Sequence, residues 1–444
     1  MNNSYYMKSI LLSLLNDLTI NHREFLSDPD RDFTRNRKLS WKETMMFILT
    51  MEGGSSKGEM VNYFGPFDSH PTLSAVIQQR SKIRPEAFEW LFRSFNKLTH
   101  HDDEYLYRGY RLMAIDGSCI TIRTDRNDSD TYISQGDDRI GYNAYHLNAM
   151  FDILGQTYHD VVIQNGPHKN EKGAFNEMVD RYEGEKAIFI ADRGYESLNS
   201  FEHVNRSGNR YLVRVRDVDS RKNLSGSFTR SLDLEDEFDI DSHRLLTRKQ
   251  TNEVKNHPEL YKLMVNRNVF DFFDEEPFYD FSCRILRFKV EDREGEAFYE
   301  TVFTNLDRDE FPADEIRRLY SMRWGIETSF RNLKYPVKLN SFHSKKNEFI
   351  IQEIYARLIF YNFSRRITER VEVRRKEKAK HDRKVNFSMA VNIIRSFLRT
   401  KEDGSTDEPP AIETILSSIT EPIRAGRSYP INKKPKSAVP YNGR

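Results

Sequence analysis

Cysteine is nearly absent: the 444 residues contain two, Cys119 and Cys283. Two isolated thiols exclude a disulfide framework and every zinc site built on paired CxxC motifs. Long apolar runs are missing as well. The opening stretch MNNSYYMKSILLSLLNDL is too short in its apolar part to span a bilayer and carries no signal-peptide cleavage pattern. The expectation is a cytoplasmic protein with no membrane partner. An excess of charge of one sign is lacking too, with 69 basic and 68 acidic residues giving a net of +1. That total argues for no partner. There is no internal repeat and no low-complexity tract, and the length leaves room for two or three domains with ample core.

What the chain does have is segregated charge. Residues 231–310 carry 21 acidic and 11 basic side chains, a net of −10, whereas 356–400 carry 13 basic and 4 acidic, a net of +9. A chain divided in this way can present a cationic surface to a polyanion, although a solvated helix face would produce the same run.

The first hundred residues read as helices, with apolar periodicity over roughly 7–17, 41–51, 57–64, 71–80 and 85–98. The pair at 57–64 and 71–80, joined by GPFDSHP, has the form of a helix-turn-helix, with Lys57, Arg80 and Lys82 nearby. From 111 the pattern becomes α/β. RLMAIDGSCITI is an apolar strand containing Asp116, and YHLNAMFDILGQTYHDVVIQNG is two strands hinged at Gly155-Gln156. EKGAFNEMVDRYEG reads as a helix, KAIFIADRGYES as a buried strand ending at Asp192, NSFEHVNRSG as a helix and NRYLVRVR as a strand. Residues 217–300 are acidic and read mostly as strands inserted into this core. Helices at 347–370 and 386–399 flank the basic RRKEKAKHDRK, and the end RSYPINKKPKSAVPYNGR reads as an extended arm.

The most informative stretch runs from Pro312 to Pro336 and predicts one helix of about six turns at 3.6 residues per turn. Pro312 suits the first turn, Asp314 and Glu315 suit the positive N-terminal end, and Pro336 forces a stop. Ile316, Leu319, Ile326, Phe330 and Leu333 supply a buried side. At about 100° per residue, Tyr320, Arg323, Glu327 and Lys334 fall within an arc of roughly 60°. One carboxylate flanked by a phenol, a guanidinium and an amine suits a metal ligand working on a nucleic-acid backbone. Trp324, beside this face, reads as a packing residue.

Two more carboxylates stand out. Asp116 lies on or at the end of an apolar strand, where a charge is costly unless it is paired or metal-bound. Asp192 immediately follows the KAIFIA strand. Oxygen ligands without a supporting Cys or His cage suit Mg²⁺ or Mn²⁺ rather than Zn²⁺. Taken singly, each carboxylate is equally well explained as a cap, a turn or a surface ion pair. Arg193 and Tyr195 could orient the site or touch DNA, and His159 and His168 are weaker candidates for metal ligands.

Together these residues carry a resemblance. Tyr320-x₂-Arg323-x₃-Glu327-x₆-Lys334 resembles the Tyr–Arg–Glu–Lys signature of the IS-four family of insertion-sequence DDE transposases. AIDGS around Asp116 looks like that family's first catalytic motif, IADRGY around Asp192 looks like its second, and FTRNRKLSW is also similar to members of the family. The resemblance implies an α/β fold: a ribonuclease-H-like (retroviral-integrase-like) core with a β-rich insertion, an all-α N-terminal domain and a helical C-terminal region. It implies Asp116, Asp192 and Glu327 as a catalytic, metal-binding triad for Mg²⁺, with Mn²⁺ able to substitute. Tyr320, Arg323 and Lys334 would then hold DNA phosphates, Arg by a bidentate grip and Lys as a point charge.

The implied reaction is metal-dependent cleavage at the transposon end, followed by attack of the freed 3′-hydroxyl on target DNA. The implied partners are transposon-end DNA, target DNA and a second copy of the chain as a homodimer, associated with the nucleoid when DNA is bound. The implied layout is a helical DNA-binding domain over 1–105 and a catalytic domain over 106–345 that includes the 217–300 insertion. A helical region over 346–400, for dimerisation and DNA contact, and a basic tail over 401–444 complete it. Some members form a DNA hairpin and hold a flipped base with a tryptophan of the inserted region. Here Trp41, Trp90 and Trp324 all lie outside 217–300. Phe270, Phe272, Phe273 or Tyr279 could substitute. Two other readings compete: a ribonuclease-H-fold nuclease without strand transfer, and a domesticated DNA-binding protein without catalysis.

Overall fold

Alternation along one strand sets the architecture. In β1 (Arg111–Ile122), Leu112, Ala114, Ile120 and Ile122 enter the core on one side, while Met113 and Ile115 enter the core on the other. A strand buried on both faces belongs at the centre of a covered sheet. The computed structural model describes residues 3–35, 38–66, 70–100, 105–136, 140–220, 223–229, 232–265, 267–273, 277–291, 296–373, 381–400 and 412–423. After β1 come β2 (Tyr132–Ile133), β3 (Tyr142–Asp152), β4 (Thr157–Asn165), the helix Glu171–Asp180, β5 (Ala187–Ala191), the helix Leu198–Arg206 and β6 (Arg210–Val215). β1 pairs antiparallel with β3 and parallel with β5, β5 pairs parallel with β6, and β4 pairs antiparallel with β3.

The hinge between β3 and β4 forms where the sequence places it, but the left-handed residue is Gln156 (φ 54°) rather than Gly155. Gly155 is needed for another reason. Asp152 Oδ1 accepts the backbone N–H groups of Leu154 (3.1 Å) and Gly155 (2.8 Å), and a Cβ on Gly155 would lie 2.6 Å from Asp152 Oδ2.

The acidic stretch continues the same sheet. It contains β7 (Phe238–Thr247), β8 (Tyr261–Leu263) and β9 (Phe278–Glu291), together with the short helices Gly226–Thr229 and Asn252–Asn256. β10 (Ala297–Thr304) then returns against β6, giving a ten-stranded mixed sheet in the order β2-β3-β1-β5-β6-β10-β9-β7-β8, with β4 also on β3.

Both faces of the sheet are covered. Helices Glu171–Asp180 and Leu198–Arg206 cover one face through Phe175, Met178, Phe201 and Val204. The opposite face is covered by helices from both ends of the chain. The N-terminal helices Asn3–Ile20, Trp41–Thr50, Ser56–Phe64, Leu73–Arg80 and Glu86–Thr99 share one hydrophobic core with Asn347–Glu369 and Phe387–Arg399. Ser40, Ser55 and Thr72 start three of the N-terminal helices by accepting the backbone N–H three residues on, each worth about 1 kcal/mol. Asn347–Glu369 is buried along most of its length, which makes it a central rod rather than a surface helix.

Residues 412–423 fold rather than trail: the helix Ile412–Ser418 buries Leu416, and β11 (Arg383–Val385) pairs with β12 (Thr420–Pro422). Most of the RRKEKAKHDRK run, and residues 401–411 and 424–444 of the expected tail, lie outside the described residues. Among the described residues, no helix is long and apolar enough to cross a membrane.

The helix expected over Pro312–Pro336 is in fact two, Ala313–Met322 and Trp324–Lys334, joined at Arg323. There the hydrogen bonds tighten to three-residue spacing, from Arg323 N to Tyr320 O and from Ile326 N to Arg323 O, both 3.1 Å. Gly325 weakens helix propensity at this point, and the Arg323 side chain is drawn towards Asp116 of β1.

Candidate active site

Strand register places the first two carboxylates together. Ile115 pairs with Ala191 as the last residue pair of β1 and β5, so Asp116 and Asp192 follow side by side on adjacent parallel strands. Each is fixed by a local backbone contact. Asp116 Oδ1 accepts the Gly117 N–H at 2.7 Å, and Asp192 Oδ1 accepts the Gly194 N–H at 2.8 Å, capping the turn Arg193–Tyr195.

The paired helices bring in the third carboxylate. Arg323, only 4% exposed, directs Nη1 at Asp116 Oδ2 (3.5 Å) and Nη2 at Glu327 Oε1 (3.2 Å). Its guanidinium thus stands between the strand carboxylate and the helix carboxylate. Lys334 Nζ donates to the Cys119 carbonyl at 3.1 Å, anchoring the far end of the second helix to β1. Tyr320 is buried beside Arg323, with its ring 5.8 Å from the guanidinium. The Tyr320 hydroxyl and Arg323 Nε have no hydrogen-bond partner among the described residues.

Electrostatics set these groups apart from surface ion pairs. Burial pushes the Asp116 carboxyl up to about 6; the Arg323 guanidinium opposes this, and the charges of Asp192 and Glu327 add to it. One guanidinium against three carboxylates leaves the site short of positive charge. An all-oxygen donor set that is under-neutralised in this way fits a hard divalent cation. Among the described residues, no three His, Cys, Asp or Glu side chains are already gathered closely enough to hold an ion. Arg323 occupies the position between Asp116 and Glu327 instead.

Two residues of this neighbourhood are not singled out by the sequence. His146 lies opposite Cys119 in the β1–β3 register, and a Cβ on Gly117 would come within 2.5 Å of His146 Nε2. That nitrogen is 3.2 Å from Glu171 Oε1, and a Cβ on Gly194 would lie 3.1 Å from Glu171 Oε2 and 3.0 Å from Asp192 Oδ1. Glu171 is held down to about 2, chiefly by His146 and then by Lys169, against the effect of burial. The close fit of Gly117 and Gly194 is the signal that sequence reading could have used, but it depends on strand register.

Other expectations sort clearly. Trp324 is 55% exposed, not packed, because Ile326, Phe330 and Leu333 take the opposite side of its helix; the Arg323 guanidinium lies 5.2 Å from its ring. Arg193 faces outward, whereas Tyr195 is buried and donates to Asn148 Oδ1 at 3.3 Å. His159 is half-buried against Tyr182 and His100, with desolvation lowering its pKa to about 4, and His168 is exposed. Phe270, Phe272, Phe273 and Tyr279 pack on one another, with the Arg206 guanidinium 4.5 Å from the Phe272 ring.

A family profile described as "Transposase DDE domain" matches residues 107–363, more than half of the chain. Transposase InsG for insertion sequence element IS4, of Escherichia coli (strain K12), is 24% identical over 368 residues, covering 80% of this chain and 75% of that protein. Among solved structures, a piggyBac transposase synaptic complex with hairpin DNA aligns with a TM-score of 0.44 at 10% identity, covering 96% of this chain and 87% of that one.

Proposed function

The chain belongs to the DDE transposase family, of the IS4 type, and from this we propose that it binds the terminal inverted repeats of an insertion sequence, cleaves there and joins the freed end to target DNA. The observation that carries the reading is the placing of Asp116 and Asp192 side by side just past the last β1–β5 residue pair, with Glu327 reaching Asp116 through Arg323. The strand order β4-β3-β1-β5-β6, with β1, β5 and β6 parallel and β3 antiparallel to β1, supports a ribonuclease-H-like core.

Asp116, Asp192 and Glu327 would hold Mg²⁺, with Mn²⁺ substituting. DDE transposases use divalent metal ions, which activate the attacking oxygen and stabilise the leaving one. Both steps are phosphoryl transfers at one site. Water displaces the 3′ oxygen at the element's end, and that 3′-hydroxyl then displaces a 3′ oxygen of the target strand. No covalent protein–DNA bond is required, so Tyr320 need not be a nucleophile.

The unpartnered donors, Tyr320 hydroxyl and Arg323 Nε, support a role in donating to a phosphate oxygen beside the scissile bond. Lys334 would add a point charge on the same strand. Two ends must be held together for joining, which supports a homodimer on DNA.

The test is cleavage and joining in Mg²⁺ of a duplex carrying the element's terminal repeat, with the wild type run beside Glu327→Gln. Cleaved and joined products from the wild type alone, with end binding retained in Glu327→Gln, are expected. Cleavage without joining would favour a nuclease, and specific binding without cleavage by either protein would favour a non-catalytic DNA-binding protein.

A further inference from the structure

A second polar cluster, sharing no hydrogen bond with the three carboxylates, is buried where the loop after Trp41–Thr50 and the start of Ser56–Phe64 meet the helices Asn347–Glu369 and Phe387–Arg399. Its charges do not balance. Three carboxylates are present, and two are fully committed. Glu59 accepts the backbone N–H groups of Glu52 and Gly54, both at 2.9 Å, and lies 3.4 Å from His343 Nε2. Glu353 receives Arg80 Nη1 at 2.9 Å and His343 Nδ1 at 3.1 Å. The third, Glu52, is partly exposed and faces Arg399 at 3.2 Å and Arg395 at 4.0 Å.

Against these stand the guanidinium groups of Arg80, Arg357, Arg395 and Arg399. Hydrogen bonds to Glu353 and Glu59 overcome the effect of burial and raise the pKa of His343, which favours its charged form.

The surplus falls on two residues. Arg357 and Arg395 are each 1% exposed. Arg357 makes one hydrogen bond, from Nη2 to the Glu52 carbonyl at 2.7 Å, and its Nε and Nη1 have no partner among the described residues. Arg395 leaves Nε and Nη2 equally unpaired, its guanidinium resting 4.5 Å from the Phe360 ring. The two groups feel one another: after burial, the charge of Arg357 is the main influence lowering Arg395, to about 9. Unpaired charged donors in a low-dielectric interior are among the costliest groups a fold can hold. Water could satisfy the donors but would leave the excess charge in place.

We propose that Arg357 and Arg395 form a buried site for one small inorganic anion, chloride or a phosphate-type oxyanion, held between the helices Asn347–Glu369 and Phe387–Arg399. A DNA backbone cannot reach side chains so deeply enclosed, which limits the occupant to a free ion. The bound anion neutralises the surplus and ties the Glu52 loop to both C-terminal helices, fastening the N-terminal helices to the rod that follows the catalytic helices. The site does not depend on the transposase reading.

The test uses the full-length protein without DNA, in chelator, at fixed pH and ionic strength. Gluconate, too bulky for the site, is exchanged stepwise for chloride in one series and for inorganic phosphate in another. Thermal unfolding should show a saturable rise in Tm of about 2–4 °C with the anion that fits. The series that saturates identifies halide or oxyanion, and calorimetric titration of the same ion into wild type should give one site per chain. Arg395→Met should lose the dependence; if it fails to fold, the wild-type titration decides alone. Tm indifferent to both exchanges, or a folded Arg395→Met protein that keeps the full wild-type response, overturns the proposal.

Discussion

Replacing Asp116 by Asn should make the metal-free protein more stable while abolishing the cleavage proposed for it. The Asp116 carboxyl sits at about 6 against an ordinary 3.8, a shift of about two units, and each unit corresponds to about 1.36 kcal/mol. Below pH 3.8 the group is protonated both folded and unfolded and contributes nothing. Between about 3.8 and 6 the folded protein keeps a proton that the unfolded chain releases, so stability falls as pH rises. Above 6 the charge is fully imposed on the buried site, at a cost of about 3 kcal/mol. Asn cannot ionise and escapes that cost. Urea unfolding in chelator, followed by tryptophan fluorescence from pH 4 to 8, should therefore show Asp116→Asn ahead of wild type by up to about 3 kcal/mol at pH 7.5. The gain should shrink to about 0.5 kcal/mol near pH 4. Adding Mg²⁺ should stabilise the wild type and narrow the gap. No gain at pH 7.5, or one as large at pH 4, would refute the argument, because the first denies the strain and the second assigns it to shape. A protein that retains such a cost has kept function at the expense of stability.

Other expectations follow from single contacts. Lys334→Ala should lower the salt dependence of end binding by about one unit of slope, as expected for one lost phosphate contact; an unchanged slope would leave Lys334 as an anchor for β1 only. Gly117→Ala puts a methyl 2.5 Å from His146 Nε2 and should cost about 1–3 kcal/mol, with cleavage lost; adding His146→Ala should restore most of the stability, and failure to do so would locate the clash elsewhere. Trp324→Ala should change stability by no more than about 0.5 kcal/mol while weakening binding to the DNA end about tenfold or more. A large stability loss with unchanged binding would return Trp324 to a packing role.

Much of the fold is written locally. Strand alternation in RLMAIDGSCITI, the Gly155-Gln156 hinge and the serine and threonine caps each act over a few residues, so the elements from β1 to β6, the two-residue β2 apart, can be read in order. The break at Arg323 cannot. The stretch from Pro312 to Pro336 satisfies every local rule for one helix, and its interruption accompanies the meeting of Arg323 with a carboxylate on β1, more than two hundred residues earlier in the chain. The same break leaves Trp324 at the start of a new helix, facing outward. His146 and Glu171 are not legible in the sequence for a related reason, since nothing in their own neighbourhoods marks them. Their place beside Gly117 and Gly194 follows only from which strands pair and in which register.

The sequence by itself therefore determined the kinds of element, their order and the residue types able to do phosphoryl-transfer chemistry, because helix and strand periods and the Tyr320–Lys334 spacing are properties of short segments. Only the tertiary structure decided that the acidic stretch continues the main sheet, that helices from the two ends of the chain share one core, and that two arginines are enclosed without enough partners. Each of these depends on contacts between residues far apart in the chain, and a buried charge has no energy to assign until its surroundings are complete.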